Sequence, residues 1–299
     1  MPRTLVGRLA LILMLAAALL WPATASIAAS PGTNVALAGT PIRSVYLRAP
    51  RGGTLPGRPV QVLLALHGMG GNGEDFSKEL VEQADRYGWL IVAPTIAYGD
   101  WTNTSVVARE EPVLIHALVD YLDQLPQLTG LQTRRLVLLL GHSRGAQLAH
   151  RFAEFRPDKV LAVAALSAGT YTLPLSSGPQ GSMSFPFGVK DLAQYAGTAF
   201  DPARFDGIQF WVGVGGLDTN PADLPRQWDT YEGTTRLQRA QAFEAVMQQM
   251  GASSILRVFG DAKHDITSEM RLAACTFLGK AMQPRAPFGS PLAEAPVRY

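Results

Sequence analysis

Residues 136–152 read LVLLLGHSRGAQLAHRF. An apolar run stops abruptly at Gly141, the pentad Gly141-His142-Ser143-Arg144-Gly145 follows, and then a helical pattern begins. A near-continuous apolar run is how a strand buried on both faces reads. Such a strand delivers its last residue to the carboxyl edge of its sheet. A sharp turn there needs small residues two before and two after the exposed side chain, because the backbone folds back on itself. Gly141 and Gly145 meet that need and leave Ser143 on a strained backbone with its hydroxyl presented. The helix beginning at Arg144 aims its free N–H groups, and the positive end of its dipole, at the same spot. In the competing reading, serine merely caps the helix of a glycine-rich turn.

The flanking chain repeats this strand-to-helix rhythm. Apolar runs occur in PVQVLLALHG, WLIVAPTIA, RRLVLLLG, KVLAVAALSAG, GIQFWVGVGG and SILRVFGDAK. Helical patterns occur in EDFSKELVEQADRYG, VVAREEPVLIHALVDYLDQL, RGAQLAHRFAEF, RLQRAQAFEAVMQQMG and ITSEMRLAACTFLGKAM, with Pro112 near a helix start or a kink. Alternation of this kind predicts an α/β fold: a mostly parallel central sheet with helices on both faces and right-handed crossovers. IRSVYLRAP, ahead of the first run, fits an antiparallel edge strand. Residues 170–207 break the rhythm, rich in Gly, Ser and Pro with scattered aromatics. They follow a strand end, where ligand-binding loops belong, and read as a small lid-like insertion over a pocket. The alternative is a surface loop whose aromatics only staple it down.

The chain has 299 residues, 47% hydrophobic and 17% charged, enough for one large core without disulfides. Arg3 and Arg8 precede the apolar run Leu9 to Leu20, and ATAS and IAAS follow. That order is the pattern of a secretory signal peptide, expected to span residues 1–25 with Ala29 as the other cleavage point. The apolar run is short for a membrane span, so no stable anchor is expected after cleavage. A secreted or periplasmic destination follows. Removing the two arginines leaves 24 basic against 24 acidic residues, formally neutral, and no basic stripe speaks for nucleic acid. Cys275 is the only cysteine, so no internal disulfide or cysteine-based zinc site can form. One α/β domain is expected over residues 26–282, and the Pro-rich tail 283–299 is expected to be disordered.

A serine hydroxyl needs a base. Of the five histidines, His67 ends a strand, His116 and His150 lie in helices, and His142 points away from Ser143 within the turn. Only His264, in VFGDAKHDIT after a late strand, can return over the turn. The base needs an orienting acid, and FWVGVGGLDTNP delivers Asp218 on a loop, with Asp223, Asp229 and Asp265 as rivals. Oxyanion donors are expected from the backbone N–H of Arg144 and, in the glycine-rich LLALHGMGGNG, of Met69, with Gly68 and Gly70 as alternatives. Tyr98, Trp101 and Tyr171 follow strand ends and are expected to line the substrate pocket. No cofactor and no metal are implied; the carboxylates of DTNPAD match no calcium loop.

Taken in order, LHGMGG, GHSRG, GGLD and AKHD resemble the α/β-hydrolase superfamily over roughly residues 60–282. The chain is similar, more loosely, to secreted esterases of the polyhydroxyalkanoate-depolymerase and feruloyl-esterase type, which often carry disulfides that this chain cannot form. The resemblance implies a serine hydrolase acting on an ester-containing small molecule or polymer. The rivals are a serine peptidase for short peptides, an acyltransferase, and an exported binding protein that uses the fold as a scaffold.

Overall fold

The computed structural model describes residues 36–52 and 57–283; the expected signal peptide and tail lie outside the described residues, save Gln283. The chain runs β1 (Ile42–Arg48), β2 (Gln61–Leu66), α1 (Gly73–Lys78), α2 (Val81–Tyr87), β3 (Trp89–Ile96), α3 (Thr104–Thr129), β4 (Val137–His142), α4 (Arg144–Phe155) and β5 (Val160–Leu166). A two-residue hairpin, β6 (Ser177–Gly178) and β7 (Gly181–Ser182), follows with the single turns α5 (Ala193–Ala196) and α6 (Pro202–Phe205). Then come β8 (Gln209–Gly215), the turn α7 (Asp229–Glu232), α8 (Arg236–Met250), β9 (Ser254–Phe259) and α9 (Ser268–Ala281).

Seven strands form one sheet in the order β1-β3-β2-β4-β5-β8-β9. Only β1 is antiparallel, pairing β3 at the edge; every other neighbour is parallel. This is the mostly parallel α/β arrangement expected from the run pattern. The pleat splits each central strand between two cores. Val62, Leu64 and Leu66 join α3, α4 and α8 on one face. Leu63 and Ala65 join α2 and α9 on the other. Both faces are covered, so the strands lack polar alternation.

Two expectations need correction. EDFSKELVEQADRYG is two helices, because the Leu80 N–H turns back to the Ser77 carbonyl at 2.9 Å. Leu80 and Ala84 both reach the core. Pro112 does not start a helix: α3 begins at Thr104, where the Asn103 side chain accepts from the Ser105 and Val106 N–H groups, and continues through Pro112.

Residues 170–207 fold down onto the body. Phe185 meets Phe155 of α4 with ring centres 5.3 Å apart, Phe187 meets Trp228 at 4.8 Å, and Phe205 meets Phe210 of β8 at 5.0 Å. These aromatics lie in or against the core.

Candidate active site

The site stands at the carboxyl ends of β2, β4, β8 and β9. Ser143 has φ 53° and ψ −116°, a conformation L residues rarely adopt. Its N–H is fixed to the Leu166 carbonyl of β5 at 2.8 Å. The turn is tight enough to exclude side chains on either side. A Cβ on Gly145 would lie 2.1 Å from the Leu66 carbonyl oxygen, and one on Gly141 would lie 2.2 Å from the Gly145 carbonyl oxygen. Both obstacles are backbone, which cannot swing aside.

His264 Nε2 lies 3.0 Å from Ser143 Oγ, and His264 Nδ1 lies 2.8 Å from Asp218 Oδ2. The carboxylate can only accept, so Nδ1 carries the proton and Nε2 offers its lone pair to the serine hydroxyl. The loops bearing the two residues are laced together. Gly216 N–H donates to the Phe259 carbonyl at 2.7 Å, and Leu217 N–H to the Ala262 carbonyl at 2.9 Å. Of the rival acids, Asp223 pairs with Arg236, Asp229 pairs with Arg226 and Arg239, and Asp265 is exposed.

The loop after β2 crosses close to the serine: a Cβ on Gly68 would sit 3.3 Å from Ser143 Cβ. Its peptide plane is set by His67. The Ile96 N–H donates to His67 Nε2 at 2.9 Å, so Nδ1 holds the proton and donates to the Gly68 carbonyl at 2.6 Å. Burial lowers the pKa of His67, which keeps the ring neutral for this double duty. In a trans peptide the N–H opposes the carbonyl, so the Met69 N–H faces away from the His67 ring. The Arg144 N–H belongs to the first turn of α4, where N–H groups have no acceptor within the helix.

His142 points away from Ser143, as expected, and its destination is the base loop. Its Nε2–H donates to the His264 carbonyl at 2.8 Å. Burial pushes the ring down to about 4, so it is neutral near pH 7.

Of the three residues expected to line the pocket, Tyr171 offers no free face, whereas Tyr98 and Trp101 are part-exposed. Tyr171 is fully buried, stacked on Phe243 at 4.6 Å and tilted against His150 at 5.0 Å. An aromatic after a strand end can turn inward as readily as outward, and the apolar α8 face captures it. Tyr98 is braced between the Arg144 guanidinium, 4.8 Å from its ring centre, and the edge of His67. Its hydroxyl is buried, and burial pushes that hydroxyl far above its usual range. Trp101 is part-exposed and lies against Gly169, beyond the end of β5.

Sequence reasoning assigned Arg144 an N–H and missed its side chain. The guanidinium is buried between Glu111, with which it makes a short ion pair, and Glu110 at 3.1 Å. Arg151 shares the Glu111 oxygen at 2.9 Å and donates to Thr170 and Thr172. Glu110 also accepts the Gly99 N–H at 2.7 Å, tying in the loop that leads to Trp101. Arg236, which donates to Asp218 Oδ1 at 3.2 Å, was also missed. Neither arginine has a local signal, because their partners lie 13 to 34 residues away. Among the described residues no cluster of His, Cys, Asp and Glu could hold a metal ion.

A family model described as alpha/beta hydrolase fold matches residues 61–230. No curated protein matches the chain significantly. Among solved structures, poly(aspartic acid) hydrolase-1 from Sphingomonas sp. KT-1 is 21% identical with a TM-score of 0.63, over 83% of this chain and 97% of that one. A ferulic acid esterase from the anaerobic fungus Anaeromyces mucronatus is 13% identical with a TM-score of 0.56, over 86% and 94%. A fluorophosphonate-binding serine hydrolase of Staphylococcus aureus is 15% identical with a TM-score of 0.51, over 84% and 99%. These likenesses are of fold.

Proposed function

The chain belongs to the α/β-hydrolase fold family, and from that premise we propose that it is an exported serine hydrolase that cleaves carboxylic esters through an acyl-enzyme. The observation that carries the reading is the continuous chain Ser143 Oγ, His264 and Asp218, with links of 3.0 and 2.8 Å. His264 Nε2 takes the Ser143 proton as Oγ attacks the ester carbonyl carbon, and the carbonyl oxygen becomes an oxyanion. The N–H groups of Met69 and Arg144 receive that charge. The intermediate collapses, and the alcohol leaves with the proton from His264. Water then gives a proton to His264 and attacks the acyl carbon, releasing the acid and restoring Ser143. Asp218 holds the ring in the required tautomer throughout. No step calls for a cofactor.

Met69 and Leu217, on the loops that carry the oxyanion donor and Asp218, are exposed apolar side chains, and Trp101 is part-exposed; in this reading they line the substrate's approach. That lining favours a neutral, apolar acyl or aryl group. The neighbours named as esterases support an ester substrate. The one named for poly(aspartic acid), a polyamide, favours the second reading, a peptidase or amidase on the same machinery. The basic-then-apolar start of the chain supports export.

Hydrolysis of p-nitrophenyl esters from acetate to palmitate, by the mature chain and its Ser143→Ala variant, tests the reading. The variant is expected to lose at least about a thousandfold in kcat/KM, and wild type alone should take a fluorophosphonate label. Equal rates in both proteins would overturn the ester reading. Ester inactivity with labelling retained would leave the peptidase.

A further inference from the structure

We infer that Arg236 is a positioning residue for the base: it grips the Asp218 oxygen that His264 leaves free and, balanced by Asp223, sets the charge that the His264 ring feels. Asp218 divides its two oxygens. Oδ2 accepts from His264 Nδ1 at 2.8 Å and Oδ1 accepts from Arg236 Nη1 at 3.2 Å. Among the described residues these two side chains are the hydrogen-bond donors to that carboxylate. A carboxylate held at one oxygen can rotate about its own bond; held at both, its plane is fixed, and with it the aim of the imidazole.

The placement of Arg236 is hard to explain by folding alone. It is only 4% exposed and its Nε has no partner. It is also the first residue of α8, directly after the Thr235 cap. A cation there faces the positive end of the helix dipole, the unfavourable end for it. What the position offers is reach to two acids from one fork: Nη1 to Asp218, and Nη2 to Asp223 at 2.8 Å. Asp218 is buried, whereas Asp223 is about half exposed. Asp223 thus connects a buried pair to solvent.

The consequence is electrostatic. The positive charge of Arg236 opposes a proton on His264, and the negative charge of Asp223 favours one. The other ionisable groups around the ring are His142 from the β4 turn, Asp218 itself, and Lys263 and Asp265 on its own loop. The proposal rests on the Ser143–His264–Asp218 reading for its catalytic meaning, but its measurement does not need turnover.

The test is the NMR titration of the His264 ring in the Ser143→Ala background, with Arg236→Gln, Arg236→Lys and Asp223→Asn added in turn. Arg236→Gln is expected to move the His264 midpoint to higher pH, and Asp223→Asn to move it lower. Each displacement should be roughly half a pH unit to one, the size of a partly screened charge interaction. Arg236→Lys keeps the charge and should leave the midpoint near its starting value. In chains that retain Ser143, the acid limb of kcat/KM should move in the same directions. Arg236→Gln should also lower kcat about tenfold with a smaller change in KM, and Arg236→Lys should recover part of the loss. A merely structural arginine would not move the two midpoints in opposite senses. Midpoints that stay fixed, or move together, overturn the proposal. Should Arg236→Gln fail to fold, Asp223→Asn at its half-exposed site decides the sign alone. Titrations that move as expected in a chain with no esterase activity would sink the ester reading and leave this one standing.

Discussion

Two arrays of charge flank Ser143, and they are built to opposite ends. Beneath α4, Arg144, Arg151, Glu110 and Glu111 lock the turn to α3; Arg144, Arg151 and Glu111 are out of water and Glu110 is part-buried. Beside α8, Asp218 and Arg236 are as deeply buried, but they lead outward to His264, 37% exposed, and Asp223, 53% exposed. The first array reaches solvent only at Glu110, 11% exposed; the second ends in groups that protons and substrate can reach. Rigidity around the nucleophile and accessibility at the base are thus assigned to different partners. The first array should answer to mutation in stability, the second in activity.

The sharpest contrast is Gly145→Ala against His264→Ala. The alanine Cβ would meet backbone at Leu66. It is therefore expected to cost about 3 kcal/mol or more, lowering Tm by roughly 10 °C in a domain of this size, and to abolish turnover as well. His264→Ala should lower kcat/KM by at least about a thousandfold while Tm stays within roughly 2 °C. Calorimetry and ester hydrolysis on the same preparations check both. A stable Gly145→Ala protein with full activity would break the view that the turn is fixed by backbone contact.

Glu111→Gln comes next. It removes the carboxylate that Arg144 and Arg151 share and leaves two buried cations underpaired. The expected cost is about 3 to 5 kcal/mol in urea unfolding, with kcat reduced far less than in His264→Ala. A variant as stable as wild type would show that the buried array contributes nothing net.

Glu232 lies in neither array and gives stability a pH dependence of its own. It is fully buried and accepts the Tyr171 N–H at 3.0 Å. Burial pushes it up to about 8. The folded chain therefore keeps a proton there that the unfolded chain releases near the ordinary glutamate range. Its contribution to stability is present below that range and is lost as pH rises toward 8, by on the order of a few kcal/mol. Glu232→Gln should remain neutral and flatten the loss between pH 5 and 8. Unfolding curves at several pH values read this directly; parallel curves for the two proteins would refute it.

What the sequence disclosed divides along the same line. The strand runs, the serine turn and the loops carrying Asp218 and His264 are encoded locally, in apolar runs and glycines a few residues apart. The geometry joins those three residues across 46 and 121 positions because each ends a parallel strand of one sheet. Arg144, Arg236 and His67 were not legible as partners. Their roles depend on which side chain a neighbouring element happens to present, and no spacing rule carries that. Tyr171 failed for the same reason, since the α8 face that captures it lies more than sixty residues downstream.

His142 joins the two sides and makes the smallest prediction. It sits on the β4 turn, yet its Nε2–H holds the backbone carbonyl of His264. Loss of one such hydrogen bond, worth about 1 kcal/mol, should let the base loop drift without releasing it. His142→Ala is therefore expected to lower kcat about three- to tenfold, with little change in KM. His142→Gln, whose side-chain amide can donate, should recover part of the loss. The pH signature is separate. Burial holds the folded His142 down to about 4, while an unfolded histidine takes its proton near 6.5. The wild type should accordingly lose stability as pH falls from about 6.5 toward 4, and His142→Ala should lose less over that window. A variant with unchanged kcat and an unchanged acid slope would mean that the base loop is held by its lacing to β8 alone, and the nucleophile and base sides would then be mechanically independent.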